Sequence, residues 1–407
     1  YLSNQGSFLY AQIEPLAWKL LSALQLWFDD ETICISGSFL RQLDTIDQLD
    51  YIIPYSIGDI KNVLRKQEGF VCSAQDADSV FYTYQQHLQI QLHSCTPESL
   101  VQTAFLISCS NEYRDAFLQQ YPDILEAGSE EEIYENQDLP YVPPCLREEQ
   151  SQVGMMDVPN LIDVKDIRGI IHNHSTWSDG KYSIEEMAKA CIEKGFEYLV
   201  MSDHSVSSFY ANGLSVERIR LQHEEIDRLN ERLAPFTIFK SIECDILGDG
   251  SLDYRDEVLA TFDLVICSVH QNLKMTEEKA MQRLLGAITH PATRILGHPS
   301  GRLLLSRKAY PVDYKTLIDA CKAHDVVIEI NANPRRLDID WHWISYAMQQ
   351  GVRLSINPDA HSIEGIDDIR YGVLSAQKGG LTAAANLSSL SLADFKQYLT
   401  QKSFAIR

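Results

Sequence analysis

Residues 167–174 read IRGIIHNH, a short apolar run that ends in two histidines one residue apart. The same design returns six times further along the chain. YLVM (198–201) leads into SDHS, and TIFKSIECD (237–245), DLVICSVH (263–270), RILGHPS (294–300), VVIEINAN (326–333) and RLSINPDAH (353–361) each close an apolar run on polar residues. Short bounded runs of this kind predict buried strands. Helical patterns lie between several of them. Ser183 is placed as an N-cap, with Glu186 three residues on to complete a capping box. Ile184, Met187, Ala188, Cys191 and Ile192 then share one helical face, and Gly195 is a plausible stop. Asp313 is placed to cap a second helix carrying Tyr314, Leu317, Ile318 and Cys321. Strands alternating with helices predict an α/β domain of parallel strands covered by helices. Seven such units in roughly 240 residues suit a barrel better than an open sheet.

All but one of these strand ends carry residues able to hold a metal. The set is His172 and His174 with Asp179, then His204, Glu243, His270, His298, and Asp359 with His361. The exception is VVIEINAN. In a parallel barrel the C-terminal ends of the strands meet at one mouth, so residues far apart in sequence can converge there. Positions i and i+2 of a strand point to one side, which lets His172 and His174 grip one ion together. Taken singly the signals are weak: His298 reads as a hydrogen-bonded core residue, and Asp179 in SDG as a turn residue. Their joint recurrence at strand ends points to a metal centre. His324, late in a helix, stays outside the set. Histidines and carboxylates suit zinc, manganese or iron. Nine donors exceed the needs of one ion, so two or three divalent ions sharing a bridging carboxylate are expected, Mn²⁺ or Zn²⁺, with Fe²⁺ also compatible. Such ions lower the pKa of bound water toward about 7 and neutralise phosphate charge. No Ser-His-Asp elbow, P-loop or GxGxxG competes for the role.

Composition limits the rest. A net charge of −22 argues against a broad nucleic-acid-binding surface but leaves room for a local basic cleft. With 45% hydrophobic and 23% charged residues and no run of 18 apolar residues, a globular protein with no membrane partner is expected. Nine scattered cysteines, none in a CxxC pair, predict free thiols and a cytoplasmic protein. The start, YLSNQGSFLY, has neither the charged region nor the apolar core of a signal peptide, and no initiator Met, so a fragment or processed form is expected. A chain of 407 residues predicts two or three domains.

At the strand ends the chain resembles the PHP family, named for polymerase and histidinol phosphatase. HNHSTWSDG (172–180), VMSDHS (200–205), SIECD (241–245), SVH (268–270), GHPSGR (297–302) and INPDAHS (356–362) carry the likeness. Within that family it looks most like the bacterial family X DNA polymerases with a C-terminal PHP domain, to which EINANPRRLDIDW (329–341) and YVPPCLREEQ (141–150) are similar. The resemblance implies a distorted (β/α)7 barrel over 167–407 and three metals. One would be held by His172, His174, Glu243 and Asp359, a second by Glu243, His270 and His298, and a third by Asp179, His204 and His361. Glu243 and Asp359 would be catalytic, with a metal-bound hydroxide as nucleophile. The implied reaction is hydrolysis of phosphate esters at DNA 3′ ends, as a 3′-5′ exonuclease or 3′-end processing enzyme. Arg302, Asn331 and Arg336 are candidate substrate contacts, and Asp203 and Asp245 candidate partners of the neighbouring ligands.

Ahead of the barrel the resemblance implies a smaller α+β nucleotidyltransferase-like region: a palm over 1–93, a shortened thumb over 94–142 and a linker over 143–166. Gly37-Ser38-Phe39-Leu40-Arg41 looks like the Gly-Ser loop of that palm. The family's acidic pair reads Gln48-Leu49-Asp50 here, and HLQIQLHS (87–94) offers Gln91 where a third Asp belongs. Amides are neutral and cannot replace the charge that two magnesium ions require. Asp47 is one residue out of step, so on a strand it points the other way. The palm is therefore expected not to polymerise. Two alternatives remain: a small-molecule phosphatase of the histidinol-phosphatase type, and a non-catalytic module that binds DNA or a partner.

Overall fold

The computed structural model describes residues 6–124 and 127–401. Outside them lie the first half of the stretch read above for a leader, two residues of the thumb-like segment, and 402–407. The chain divides into two compact units, 1–160 and 161–407.

In the first unit, helix α1 (Tyr10–Phe28) buries Ile13, Ala17, Leu20 and Leu24, a single stripe at helical spacing. The stripe belongs to a core that also takes in a five-stranded sheet. Its strands are β1 (Cys34–Ser36), β2 (Gln48–Ile53), β3 (Phe70–Gln75), β4 (Ser79–Tyr84) and β5 (Leu88–Ser94), in the order β1-β2-β5-β4-β3. β2 and β5 run parallel, with Asp50 opposite Gln91; the other neighbours are antiparallel. Gly37 follows β1 at φ +66°, and a Cβ there would meet Asp50 Oδ2 at 2.1 Å. Only glycine lets this turn close on the strand. A helical part follows, with helices at Leu100–Ile107 and Asn111–Gln120. There the fully buried Arg147 pairs with Glu130 at 2.6 Å and lies over the rings of Phe105, Tyr134 and Tyr141. A buried cation is tolerable only when paired in this way.

The second unit contains the seven expected strands: β6 (Gly169–Asn173), β7 (Tyr198–Met201), β8 (Thr237–Asp245), β9 (Leu264–Ser268), β10 (Ile295–Leu296), β11 (Val327–Asn331) and β12 (Leu354–Asn357). They pair in sequence order and all in parallel. At the end of β6 and just past β12, Asn173 bridges Ala360 and His174 N donates to Ala360 O at 2.9 Å, so the barrel is nearly closed. Helix α2 (Ile184–Glu193) begins with the Ser183–Glu186 capping box, and α3 (Tyr314–His324) with Asp313 accepting from Thr316 N. Both caps are where the sequence put them.

Alternation along the strands sorts the barrel's two faces. Tyr198 and Val200, Leu264 and Ile266 fall in one apolar cluster, while Leu199, Met201, Val265 and Cys267 fall in the larger cluster that includes the covering helices. The inner cluster is completed from below by Leu387 and by Phe395 and Tyr398 of helix α4 (Leu392–Gln401). Phe395 stacks on Tyr198 with centroids 4.5 Å apart. Moving up the same face, apolar residues give way to polar ones: Phe239 to Glu243 on β8, Val327 to Glu329 and Asn331 on β11. Each strand thus runs from an apolar floor to a polar mouth.

Candidate metal centre

The mouth is built from bent backbone. Between β6 and β7, Ile170 pairs with Leu199 but Asn173 with Met201, so β6 carries one extra residue at Ile171–His172. His172 sits there at φ +65°. Such a bulge re-aims the side chain it contains. His172 and His174 do converge on Asp359, but through this bulge rather than through the plain alternation the spacing suggested. His298 (φ 22°) and Asp359 (φ 53°) are also in the left-handed region. Each costs roughly 1–3 kcal/mol, a cost typical of functional sites. Asp179 reaches the mouth on a turn in which Gly180 N donates to Ser175 O at 2.9 Å; a Cβ on Gly180 would meet His174 O at 2.4 Å.

All nine candidate ligands come together. Glu243 is central: Oε1 lies 2.9 Å from His298 Nε2, 3.0 Å from His270 Nε2 and 3.3 Å from His172 Nε2, and Oε2 lies 2.9 Å from His204 Nδ1. Asp359 Oδ1 lies 3.0 Å from His174 Nε2 and 3.6 Å from His172 Nε2. Asp179 Oδ1 lies 3.4 Å from His361 Nε2 and 3.6 Å from His204 Nε2. Four overlapping donor groups result: His174, Asp179, His204 and His361; His172, Glu243 and His298; His172, His174 and Asp359; His204, Glu243 and His270.

The donor atoms fit divalent cations. Among the described residues, His172 Nε2, His174 Nδ1, His204 Nδ1, Glu243 Oε2, His270 Nε2 and His298 Nδ1 are buried without a hydrogen-bond partner. Buried polar atoms are seldom left so. Several stand beside a carboxylate yet miss hydrogen-bond alignment, as His270 Nε2 does 3.0 Å from Glu243. Charge agrees. Burial opposes an ionised Glu243, but His270, His172 and His204 outweigh it and hold the carboxyl well below its ordinary range. At Asp359 burial is likewise outweighed, by His172, His174 and His361. Burial also opposes a charged ring at His172 and His270, yet Glu329 and Glu243 at the first, and Glu243 and Asp245 at the second, push both well above the ordinary value. His174 goes the other way, to about 3, through burial and the neighbouring His361 and His204. A divalent cation on these atoms would displace protons from the ring nitrogens.

Carboxylates behind the ligands fix the rings. His270 Nδ1 lies 2.6 Å from Asp245, one of the two candidate partners raised by the sequence. The other, Asp203, instead accepts from Ser175 N, Ser175 Oγ, Ser178 Oγ and Gln222 Nε2, which ties down the turn that delivers Asp179. Glu329 was missed. It is fully buried on β11, the strand whose end supplies no ligand, and lies 2.6 Å from His172 Nδ1. It also accepts from His298 N, Asn331 and Asn357. A carboxylate on a ligand histidine's second nitrogen orients the ring and raises its basicity. The signal was available: a lone Glu inside an apolar strand run is a buried charge in need of a partner.

The three candidate substrate contacts differ. Asn331 is fully buried, its amide donating to Glu329 and, at 3.1 Å, to Asp359 Oδ2. Arg302 donates to Asp340 and to the carbonyls of Arg336 and Leu337. Arg336 itself is partly exposed, with Nε 3.5 Å from Asp359 Oδ2.

In the first unit, a second polar cluster lies on β2, β4 and β5. Gln48 Nε2 donates to Asp50 Oδ1 and to Gln91 Oε1, both at 2.8 Å. Gln91 Nε2 donates to Ser79 Oγ at 3.0 Å, Ser79 Oγ lies 3.2 Å from His93 Nδ1, and His93 Nε2 lies 3.0 Å from Asp50 Oδ1. The five side chains close a ring. Asp47 stays out of it and accepts from Ser7.

The DNA polymerase/3′-5′ exonuclease PolX of Bacillus subtilis (strain 168) is 37% identical to this chain over 386 residues, covering 89% of this chain and 68% of that protein. The chain belongs to the PolX family. Residues 171–333 of this PolX-family chain match the PHP domain, which makes it a phosphoesterase of that type, a hydrolase. A protein named a probable phosphatase in Thermoanaerobacter sp. (strain X514) is 25% identical over 248 residues, 57% of this chain and 94% of its own length. The solved histidinol phosphate phosphatase of Lactococcus lactis, complexed with zinc, L-histidinol and phosphate, aligns at a TM-score of 0.38 and 18% identity over 52% of this chain and 94% of that one, a likeness too distant to carry residue roles across. No described helix is long and apolar enough to cross a membrane.

Proposed function

We propose that this protein hydrolyses phosphodiesters at DNA 3′ ends, as a 3′-5′ exonuclease or 3′-end processing enzyme, with two or three Mn²⁺ or Zn²⁺ ions in the PHP unit. The observation that carries this reading is the convergence, among the described residues, of nine His, Asp and Glu side chains into four overlapping donor groups about Glu243 and Asp359. Bound there, divalent ions would acidify water and neutralise phosphate charge. The chain's own residues do the rest. Glu243 and Asp359 are the catalytic carboxylates, each enclosed by histidines and ionised despite burial. Asp245 and Glu329 hold His270 and His172 in orientation. Arg336, beside Asp359, takes a phosphate oxygen, as guanidinium forks do well. Arg302 fixes the Arg336 backbone and Asn331 fixes Asp359, so both position the site rather than touch substrate.

The region over 1–93 is a palm that no longer polymerises, with a thumb remnant over 94–142 and a linker over 143–166. The hydrogen-bonded ring around Gln91 supports this, because it offers one carboxylate where two magnesium ions need several. All nine cysteines are free, which supports a cytoplasmic protein. A small-molecule phosphatase is the second reading, favoured by the net charge of −22 and by the phosphatase-named relative that the chain spans almost fully.

One assay separates the two. Purified protein with Mn²⁺ should shorten a single-stranded oligonucleotide from its 3′ end, and Asp359→Ala should abolish this. Intact DNA beside phosphate released from histidinol phosphate would overturn the first reading in favour of the second.

A further inference from the structure

Two features at the mouth of the PHP unit extend beyond the metal donors. The first is aromatic. Phe209 and Tyr210 are 83% and 69% exposed, side by side on a short 3₁₀ turn (Phe209–Ala211). Large aromatics are rarely left so open without a partner to meet. Tyr210 reaches the metal donors themselves, its ring centroid 6.3 Å from that of His204. The turn stands on a fixed base: Ser208 Oγ donates to Asp245 at 2.7 Å, Ser207 N to Asp253 at 2.7 Å, and Val206 N to Tyr254 at 3.0 Å. Leu214 N donates to His204 O at 2.9 Å, closing the loop behind it. The exposed rings are therefore held out on a braced loop.

The second feature is cationic, in a chain of net charge −22. Arg302, Arg307, Lys308, Arg335 and Arg336 lie on two loops joined by Leu304 N to Arg335 O (2.6 Å) and Arg302 Nε to Arg336 O (2.8 Å). Arg302 is occupied with Asp340 and Arg336 stands at Asp359. Arg307 is exposed, its guanidinium donates to the Gly301 carbonyl, and it has no ion pair among the described residues. Tyr210 stands beside His204 and Arg336 beside Asp359, while His174 stacks on His204 at 4.4 Å and lies 3.0 Å from Asp359, so aromatic turn and cations border the same mouth.

An exposed aromatic face beside paired guanidiniums is how single-stranded nucleic acid is held without sequence preference: bases stack and phosphates pair. We propose that Phe209 and Tyr210 form a stacking shelf for the terminal nucleobase of a single-stranded 3′ end, with Arg307 and Arg336 on its phosphates. This rests on the exonuclease reading and assigns it a source of substrate preference: ends with a free, unpaired base over esters that lack one. Phe209 and Tyr210 would be binding residues and not catalytic ones.

The test compares three substrates in Mn²⁺: a 3′-labelled single strand, the same strand ending in an abasic residue, and bis(p-nitrophenyl) phosphate. The wild type should prefer the base-bearing end over the abasic end by about tenfold in kcat/KM, mostly through KM. In Phe209→Ala/Tyr210→Ala that preference should collapse toward unity, and the ratio of oligonucleotide to small-ester kcat/KM should fall by about tenfold. Phe209→Trp/Tyr210→Trp should restore both. Arg307→Ala should raise KM for both oligonucleotides alike. If the double alanine variant keeps the wild-type preference for a terminal base, or loses all three substrates equally, the shelf is wrong. If the wild type cleaves only the small ester, the exonuclease reading itself has failed, and the shelf with it.

Discussion

In the sheet of the first unit, Gln48, Asp50, Ser79, Gln91 and His93 hand hydrogen bonds around a closed ring, and none keeps a buried polar atom without a partner among the described residues. In the barrel mouth, six donor atoms of His172, His174, His204, Glu243, His270 and His298 have no hydrogen-bond partner. Both clusters set carboxylate beside other polar side chains on neighbouring strands. They differ in who satisfies whom. An amide carries both donor and acceptor, so Gln48 and Gln91 complete their neighbours from within the chain. Imidazole lone pairs and carboxylates all accept once deprotonated, and only protons or cations complete them. Side-chain composition thus separates a cluster that closes on itself from one that asks for metal.

The hardest test of that contrast is Glu243→Gln. It should cost activity on DNA by about 10³-fold, the scale of losing a principal electrostatic group, and release metal measurable in the dialysed protein. Metal content and turnover equal to wild type would mean the central carboxylate is not what gathers the donors. Next in size, Glu329→Gln should weaken metal affinity by about 10- to 100-fold while leaving all nine donors in place. Isothermal titration with Mn²⁺ reads this directly, and an unchanged affinity would demote Glu329 to packing. The cluster in the first unit is probed by the reverse exchange. Gln48→Asp/Gln91→Asp places three carboxylates together and removes the donors that bridge them, so the first unit should lose about 1–3 kcal/mol. Thermal unfolding should show the loss, and Mg²⁺ should restore more stability to the variant than to wild type. An equal Mg²⁺ response in both proteins would break the comparison. The smallest effect is expected from Ser79→Ala, about 1 kcal/mol of stability with DNA hydrolysis unaltered.

What could be read from the sequence was local. Strand runs, the Ser183–Glu186 box and the Asp313 cap depend on neighbours within a few residues, and all appear in the fold. The nine donors were legible because strand ends in a parallel barrel share one mouth. What stayed hidden depends on register between distant strands. The bulge at His172 shows only when β6 is laid beside β7. Glu329 meets His172 across 157 residues of chain, and Asp203 turned out to serve Ser175 and Gln222 rather than its neighbour His204. The ring around Gln91 is the same case: the amides were visible as departures, but their mutual satisfaction needs β2, β4 and β5 side by side. Exposure is not written locally either: nothing in the sequence around Phe209 and Tyr210 marks them as open to solvent.

The floor of the barrel has a consequence for the order in which the molecule can be made. Helix α4, which seals the inner cluster with Phe395 and Tyr398, follows every metal donor in the chain. His174 leaves the ribosome 185 residues before Asp359, the carboxylate it faces. Two of the four donor groups need Asp359 or His361, and so stay incomplete until the last strand has emerged. The newborn chain must carry its early histidines through the synthesis of 185 further residues before the donors around them are complete. An ion that relied on either of those two groups could be held in full only once the last strand is in place.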